Sequence, residues 1–434
     1  MSEGEVATMK ANRKPNRVLR MFWGSFVCGG RLPEPDPEVG QKGGKREKEL
    51  KFGDIVEQLR RNRSPREFSL IAHKLNSGSV TALCEALRRN QSLEALDLSK
   101  SFLGREGGTA MGEVLLQNEC LTALNLCGTA LGVEGGKALA EGLAKNVSLQ
   151  CLNVSRTGMG KVGSVAMAEA LEANRTLRCL KLADIASESV GCREILRALT
   201  RNYALTCLDL GSNSMGKEAG PAAFEEVGQA LGEALLVNTT LTQLHIEKTF
   251  LGAEGGQALG QALLANTTLR DLNVAGTGIG AEGGVAVAHS LTINTSLTRL
   301  TLSGIGDRGL MALGTALRTN RSLEALTLSV HSGLPGWAAF GAVLRDHPRL
   351  SKLALDCPDL PRAAEALGLP PRAGGWTSEA MVAHFRRRHL EIVRAFLRGA
   401  RREGSVVSLL NRETMDRVCS AYFGQVVYPW ALAV

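Results

Sequence analysis

Four groups of residues in this chain could do chemistry. Glycine doublets follow glutamate at Glu134-Gly135-Gly136, Glu254-Gly255-Gly256 and Glu282-Gly283-Gly284. A phosphate-cradling loop needs G-x-x-x-x-G-K-[ST], because its spaced backbone N–H groups wrap the phosphates and its Lys reaches them. Gly132 to Lys137 lacks that spacing. EGG therefore reads as a tight turn leading into a closely packed helix. Cys151, Cys179 and Cys207 stand 28 residues apart and could hold a metal or a redox pair. Ala95 and Ala123 occupy the same position earlier in the chain, which favours a site that simply accepts small side chains. His245 has no Cys or second His close in sequence and reads as an exposed strand residue, neither catalyst nor ligand. Arg386-Arg387-Arg388-His389 could meet nucleic acid or another acidic surface, or be the solvated face of a helix over 378–402. No catalytic residue, metal ligand or cofactor is expected from these groups.

The elements that would position them repeat. An Asn that closes a run of small residues and precedes x-x-Leu recurs at Asn90, Asn118, Asn146, Asn174, Asn202, Asn238, Asn266, Asn294 and Asn320. Successive spacings are 28, 28, 28, 28, 36, 28, 28 and 26. A tenth unit starts at His347-Pro348, and an incomplete one precedes Asn90. Each unit opens with L-x-x-L-x-L, as in Leu121, Leu124 and Leu126. The last two lie at i and i+2, on one face of a strand. The second half, as in EGGKALAEGLAKN (134–146), repeats Ala and Leu at steps of three and four, the spacing of a helix. Asn at its end suits a left-handed helix stop. The Glu of EGG falls near the helix start, where the macrodipole favours negative charge.

A strand–turn–helix unit cannot bury its apolar face alone, but a stack of such units can. With L-x-x-L-x-L, LG-x-EGG-x-AL and AL-x-x-N at 28 residues, the chain resembles the leucine-rich repeat family. The form is similar to its ribonuclease-inhibitor-like class, which includes the repeat domains of Ran GTPase-activating proteins and of NOD-like immune receptors. The resemblance covers residues 68–361. It implies an α/β solenoid, a horseshoe with parallel strands on the concave face and helices on the convex face. Geometry gives the same curvature: strands pack about 4.8 Å apart and helices about 8–10 Å.

Charge separates three segments. The chain carries a formal net charge of +8. Residues 1–67 hold 15 Lys/Arg against 10 Asp/Glu and are expected to be a basic, largely disordered N-terminal segment. Residues 362–434 hold 11 Arg against 6 Asp/Glu and read as a basic helical C-terminal segment. The array between them is close to neutral. MFWGSFVCGG (21–30) resembles the start of a targeting segment but is short and lacks a small-residue cleavage site. No apolar run reaches 18 residues, so no membrane span is expected. Ten Cys without a pairing pattern point to a reducing compartment, cytoplasmic or nuclear.

Three residues past the strand leucines, many leucine-rich repeats carry an Asn that closes the turn. Here Ser101, Thr129, Thr157, Ile185, Asn213, Thr249 and Thr277 stand there. Hydroxyls can do that work more weakly, and Ile185 cannot. With eight extra residues near Gly220-Pro221, this marks 183–232 as a break in the array. It is either a tolerated surface insertion or a contact for a partner.

The strand column facing away from the helices reads Asp97, Asn125, Asn153, Lys181, Asp209, His245, Asn273, Thr301 and Thr327. It is expected to be an open face of loosely held side chains with varied charge, and so a site for a protein partner. It has no aromatic residue, which argues against nucleic acid. The leading reading is a non-enzymatic interaction scaffold. Two others stay open. One is a GTPase activator of the Ran type, with a small GTPase as partner; here the C-terminal tail is basic rather than acidic. The other is a substrate receptor of a ubiquitin ligase. LLNRETMDRVCSAYF (409–423) is similar to the opening of an F-box, with Leu410, Glu413, Met415 and Val418 in place and Asn411 where Pro is usual. Its competing reading is a helix that caps the last repeat.

Overall fold

The computed structural model describes residues 50–213 and 220–329, the pairs and strands given below, and Gly336, Phe340 and Leu350. The chain forms two compact units, divided between Thr249 and Phe250. In the first, β1 (Val6–Ala7) pairs antiparallel with β2 (Leu50–Lys51). Helix α1 (Phe52–Arg60) follows. Then seven parallel strands stand side by side in chain order: β3 (Glu67–Ser69), β4 (Ala95–Asp97), β5 (Ala123–Asn125), β6 (Cys151–Asn153), β7 (Cys179–Lys181), β8 (Cys207–Asp209) and β9 (Gln243–His245). Between them lie α2 (Ser77–Arg89), α3 (Gly104–Gln117), α4 (Gly132–Lys145), α5 (Gly160–Ala173), α6 (Glu188–Ala198) and α7 (Pro221–Val237). The second unit holds α8 (Gly252–Ala265), β10 (Asp271–Asn273), α9 (Gly280–Leu291), β11 (Arg299–Ser303), α10 (Gly306–Leu317), β12 (Ala325–Ser329) and β13 (Lys352–Asp356), its strands again parallel and in chain order.

Each parallel strand is only three to five residues long because its pair of apolar residues suffices to anchor it. Leu96 and Leu98, Leu124 and Leu126, and Leu180 and Leu182 are all fully buried toward the helices. Each such leucine contributes about 2 kcal/mol. The alternate residue faces away, so the sheet has a leucine side and a polar side.

The helix-end asparagines do something other than the left-handed stop expected of them. Asn118, Asn146, Asn174, Asn238 and Asn266 are extended, with φ between −87° and −69°. The side chains of Asn118, Asn146, Asn174 and Asn238 tie one repeat to the one before. Asn146 Nδ2 donates to Leu115 O at 2.8 Å and Asn118 O at 3.1 Å. Its Oδ1 accepts from Ser148 N at 3.0 Å and Leu149 N at 2.7 Å. Asn174 and Asn294 repeat all four bonds. Each Asn therefore satisfies orphan carbonyls at the end of the preceding helix and orphan N–H groups ahead of its own strand. A left-handed conformation would swing the amide out of that position.

The first rung shows where the array begins. Asn90 Nδ2 donates to Leu59 O at 2.7 Å, and Leu59, Leu87 and Leu115 are 28 apart and buried. Helix α1, with Ile55, Val56 and Leu59 buried, is thus the helix half of an incomplete repeat. It lies inside the 1–67 segment expected to be largely disordered, and strand β3 starts one residue before the expected boundary at 68. Residues beyond 356, including the basic run at 386–389 and the stretch 409–423, lie outside the described residues.

The EGG glycines sit inside helices, not in turns. A Cβ on Gly108 would come 2.6 Å from Gly135 Cα, and one on Gly136 would come 2.5 Å from Met159 Cβ. In the second unit a Cβ on Gly256 would meet Gly283 Cα at 2.7 Å. Close helix packing is therefore what EGG provides. The turn belongs to the preceding LG: Gly132 has φ +67° and leads into α4.

Candidate binding face

The polar side of the first sheet is built by register. Asp97, Asn125, Asn153, Lys181, Asp209 and His245 are direct cross-strand partners in sequence. In the second unit Asn273, Thr301 and Thr327 align in the same way. All the expected column residues thus lie in rows, on the side opposite the core leucines.

Seven of the nine are not loosely held. Asp97 Oδ1 accepts from Ser99 N at 2.8 Å. Asn125, Asn153, Asp209 and Asn273 make the same bond to the N–H two residues on, at 3.0–3.2 Å. An Asp or Asn oxygen suits this role because it mimics a backbone turn. Asn125, Lys181 and His245 are buried, His245 to 6% exposure, so the expected exposed histidine is recessed between its neighbours. The physical reason is strand spacing: at about 4.8 Å, flanking side chains cover a central one.

Beside that column runs a second, small and dry. Ala95, Ala123, Cys151, Cys179 and Cys207 form one buried cluster in register. The Cys179 thiol is hydrogen-bonded to both Cys151 and Cys207, and its pKa is raised, chiefly by the bond to Cys151 and also by burial. Burial likewise pushes the Cys84 thiol up to about 12. Thiols held neutral in this way are poor nucleophiles. Among the described residues no group of three His, Cys, Asp or Glu is placed to hold a metal ion.

The third column contributes a residue that the sequence reading did not single out. Glu247 stands two residues beyond His245, and its carboxylate lies over Gly211, where a Cβ would come 2.5 Å from Oε1. Its pKa is raised, first by burial and then by Asp209. The signal was available: Glu247 and Gly211 are 36 apart, the same step as Asp209 and His245.

The turns above the strands close as expected at the hydroxyl positions. Thr129, Thr157, Thr249 and Thr277 donate to the carbonyl three residues back at 2.5–2.7 Å. Ser101 reaches instead to Leu70 O in the preceding repeat, at 2.6 Å. At Ile185 the neighbour supplies what is missing. Asn213 Oδ1 accepts from Ile185 N at 3.0 Å and Ser187 N at 3.3 Å, while its Nδ2 donates to Leu182 O at 2.7 Å. The irregular repeat keeps its neighbours' backbone without their glycines: Asp184, Ala186 and Glu188 have φ of +56° to +59°, where the repeat before has Arg156, Gly158 and Gly160 at +57° to +67°. The inserted residues lengthen the next helix, α7, to 17 residues started by Pro221 at its first turn; residues 214–219 lie outside the described ones.

The family described as Leucine Rich repeat matches at residues 117–140, 237–260, 265–288 and 294–314. No curated protein matches the chain. Among solved structures it is similar to the leucine-rich repeat-containing protein LegL7 from Legionella pneumophila, at 16% identity and TM-score 0.43, over 74% of this chain and 97% of that one. It is also similar to actin-binding site 2 of leiomodin-1, at 18% identity and TM-score 0.27, over 42% and 89%. A third is the C-terminal domain of a Caenorhabditis elegans tropomodulin, at 14% identity and TM-score 0.28, over 42% and 92%. Likenesses this loose carry no functional argument. Among the described residues no helix is long and apolar enough to cross a membrane. The four matched segments, each falling on the strand–turn–helix register, make this chain a leucine-rich repeat protein.

Proposed function

We propose that the chain is a non-enzymatic protein-interaction scaffold of the ribonuclease-inhibitor-like class, and that its partner docks on the polar side of the sheet in the first unit. One observation supports this most. Along the row from Asp97 to His245 the chemistry changes at nearly every repeat — acid, amide, amide, cation, acid, imidazole — while the ladder asparagines beside it do not change. A purely structural column has no use for such variety. The local hydrogen bonds hold Asp97, Asn153 and Asp209 in one orientation before any partner arrives, which lowers the ordering cost of binding. None of the seven cysteines among the described residues forms a disulfide, which suits a reducing compartment, cytoplasmic or nuclear.

The Ran-type activator and the ligase receptor have less support. The first rests on the repeat type alone, and the second on 409–423, outside the described residues. The test is affinity capture from cell extract with the full chain and with a K181E/D209K variant, which exchanges the charges of two register neighbours. A partner whose capture falls about tenfold or more, with an unchanged melting temperature, supports docking on this face. A partner retained by the variant but lost when 362–434 is removed assigns binding to the basic C-terminal segment instead.

A further inference from the structure

We infer that the folded array and N-linked glycosylation exclude each other, so that this chain folds in a compartment without the glycosylation machinery. The acceptor pattern N-x-[ST] occurs at Asn62, at Asn153 and at seven of the nine ladder asparagines, all but Asn118 and Asn202. Such a pattern ordinarily reads as an exposed loop of a secreted chain. Here the seven ladder asparagines are 2–6% exposed.

Their Nδ2 atoms are the acceptor atoms, and at Asn146, Asn174, Asn238, Asn294 and Asn320 each is engaged by two backbone carbonyls of the preceding repeat. Asn174 Nδ2 donates to Leu143 O at 2.8 Å and Asn146 O at 3.0 Å, using both hydrogens. Asn294 Nδ2 does the same to Leu263 O at 2.7 Å and Asn266 O at 2.9 Å. In glycosylation the Nδ2–sugar bond forms and the sugar–phosphate bond of a lipid-diphosphate-linked oligosaccharide breaks. The lipid diphosphate leaves and one Nδ2 proton goes to solvent. At a ladder position the product has one donor fewer, strands a buried carbonyl, and puts a sugar where the preceding repeat packs. The hydroxyl that completes the pattern has its own use in the fold. Ser148 Oγ donates to Leu121 O at 3.0 Å, and Thr240 Oγ1 to Leu205 O at 3.0 Å. Both halves of the pattern are thus parts of the ladder. An unfolded chain presents these amides and the folded chain hides them, so sugar added first prevents the ladder from closing.

The experiment directs the full chain to the endoplasmic reticulum with an appended secretory signal and compares it with the cytosolic form by limited proteolysis. A parallel culture receives an inhibitor of lipid-linked oligosaccharide synthesis. A further variant carries Ala at Ser92, Ser148, Thr176, Thr240, Thr268, Ser296 and Ser322, which removes the pattern from the ladder and keeps the asparagines. The directed chain is expected to carry glycans removable by a peptide N-glycosidase and to be cut about tenfold faster or more than the cytosolic form. The inhibitor is expected to return the unchanged chain to cytosolic resistance, and the variant should match it if it also resists cleavage in the cytosol. A directed chain as resistant as the cytosolic one, with or without glycans on the ladder, overturns the inference. So does a directed chain that stays sensitive when the inhibitor has removed every glycan.

Discussion

Asn146 and Asn153 are the same residue type seven positions apart, and they do opposite things. Asn146 sits in the ladder, 6% exposed, with four hydrogen bonds that join two repeats. Asn153 sits on the polar side of β6, with its Oδ1 accepting from Ser155 N at 3.0 Å inside its own repeat. At the ladder position the array uses Asn nine times. At the strand position it uses Asp, Asn, Lys, His and Thr. The ladder site demands two donors and an oxygen with two lone pairs at fixed positions, which only a primary amide of that length supplies. The strand site demands little, so its chemistry is available for recognition.

That contrast can be broken by substitution. Asn146→Ala removes the side-chain partners of two carbonyls and two N–H groups and should cost about 3–5 kcal/mol in urea unfolding. Asn153→Ala should cost less than about 1 kcal/mol by the same measurement. Equal losses would mean that the strand column is structural too. Gly112→Ala comes next. In an exposed helix this change would stabilise, but here the new Cβ would lie 2.4 Å from Ala138 O, and a loss of about 1–3 kcal/mol is expected. Glu188→Gly should raise stability by about 1 kcal/mol, because Glu188 holds φ +56° where α3, α4, α5, α8, α9 and α10 start on Gly. A destabilised variant would show that the irregular repeat is not strained there. The smallest effect concerns Glu247. Its folded pKa is raised, so its stabilising contribution is complete below the unfolded value and is lost as pH rises through the folded one. Glu247→Gln should therefore raise the melting temperature at pH 7 and leave it unchanged near pH 4; a gain of equal size at both would exclude burial of the carboxylate as its cause.

Much of this was legible before any coordinates. The leucine pairs put strands where strands occur, the three- and four-residue steps put helices where helices occur, and the 28-residue step put Cys151, Cys179 and Cys207 in one column. Helix α1 was harder to see. It has no EGG and no complete L-x-x-L-x-L before it, and its polar, charged surroundings hid a short apolar stripe of Ile55, Val56 and Leu59. The raised pKa of Glu247 is not written along the chain, because it depends on burial and on Asp209 across the sheet. The loss of the turn-closing hydroxyl at Ile185 was visible; its replacement by Asn213 was not.

The sequence by itself determined the repeat, the type of each element and which residues share a row, because periodicity fixes the face a side chain takes on a strand or helix. Only the tertiary structure decided what each polar side chain does on that face. Asn at a helix end is locally compatible with a left-handed stop or an extended link. What selects the extended form is a pair of carbonyls 28 and 31 residues earlier, as at Asn118, whose Nδ2 reaches Leu87 O and Asn90 O. Those carbonyls come within reach only once the preceding repeat has folded beside it.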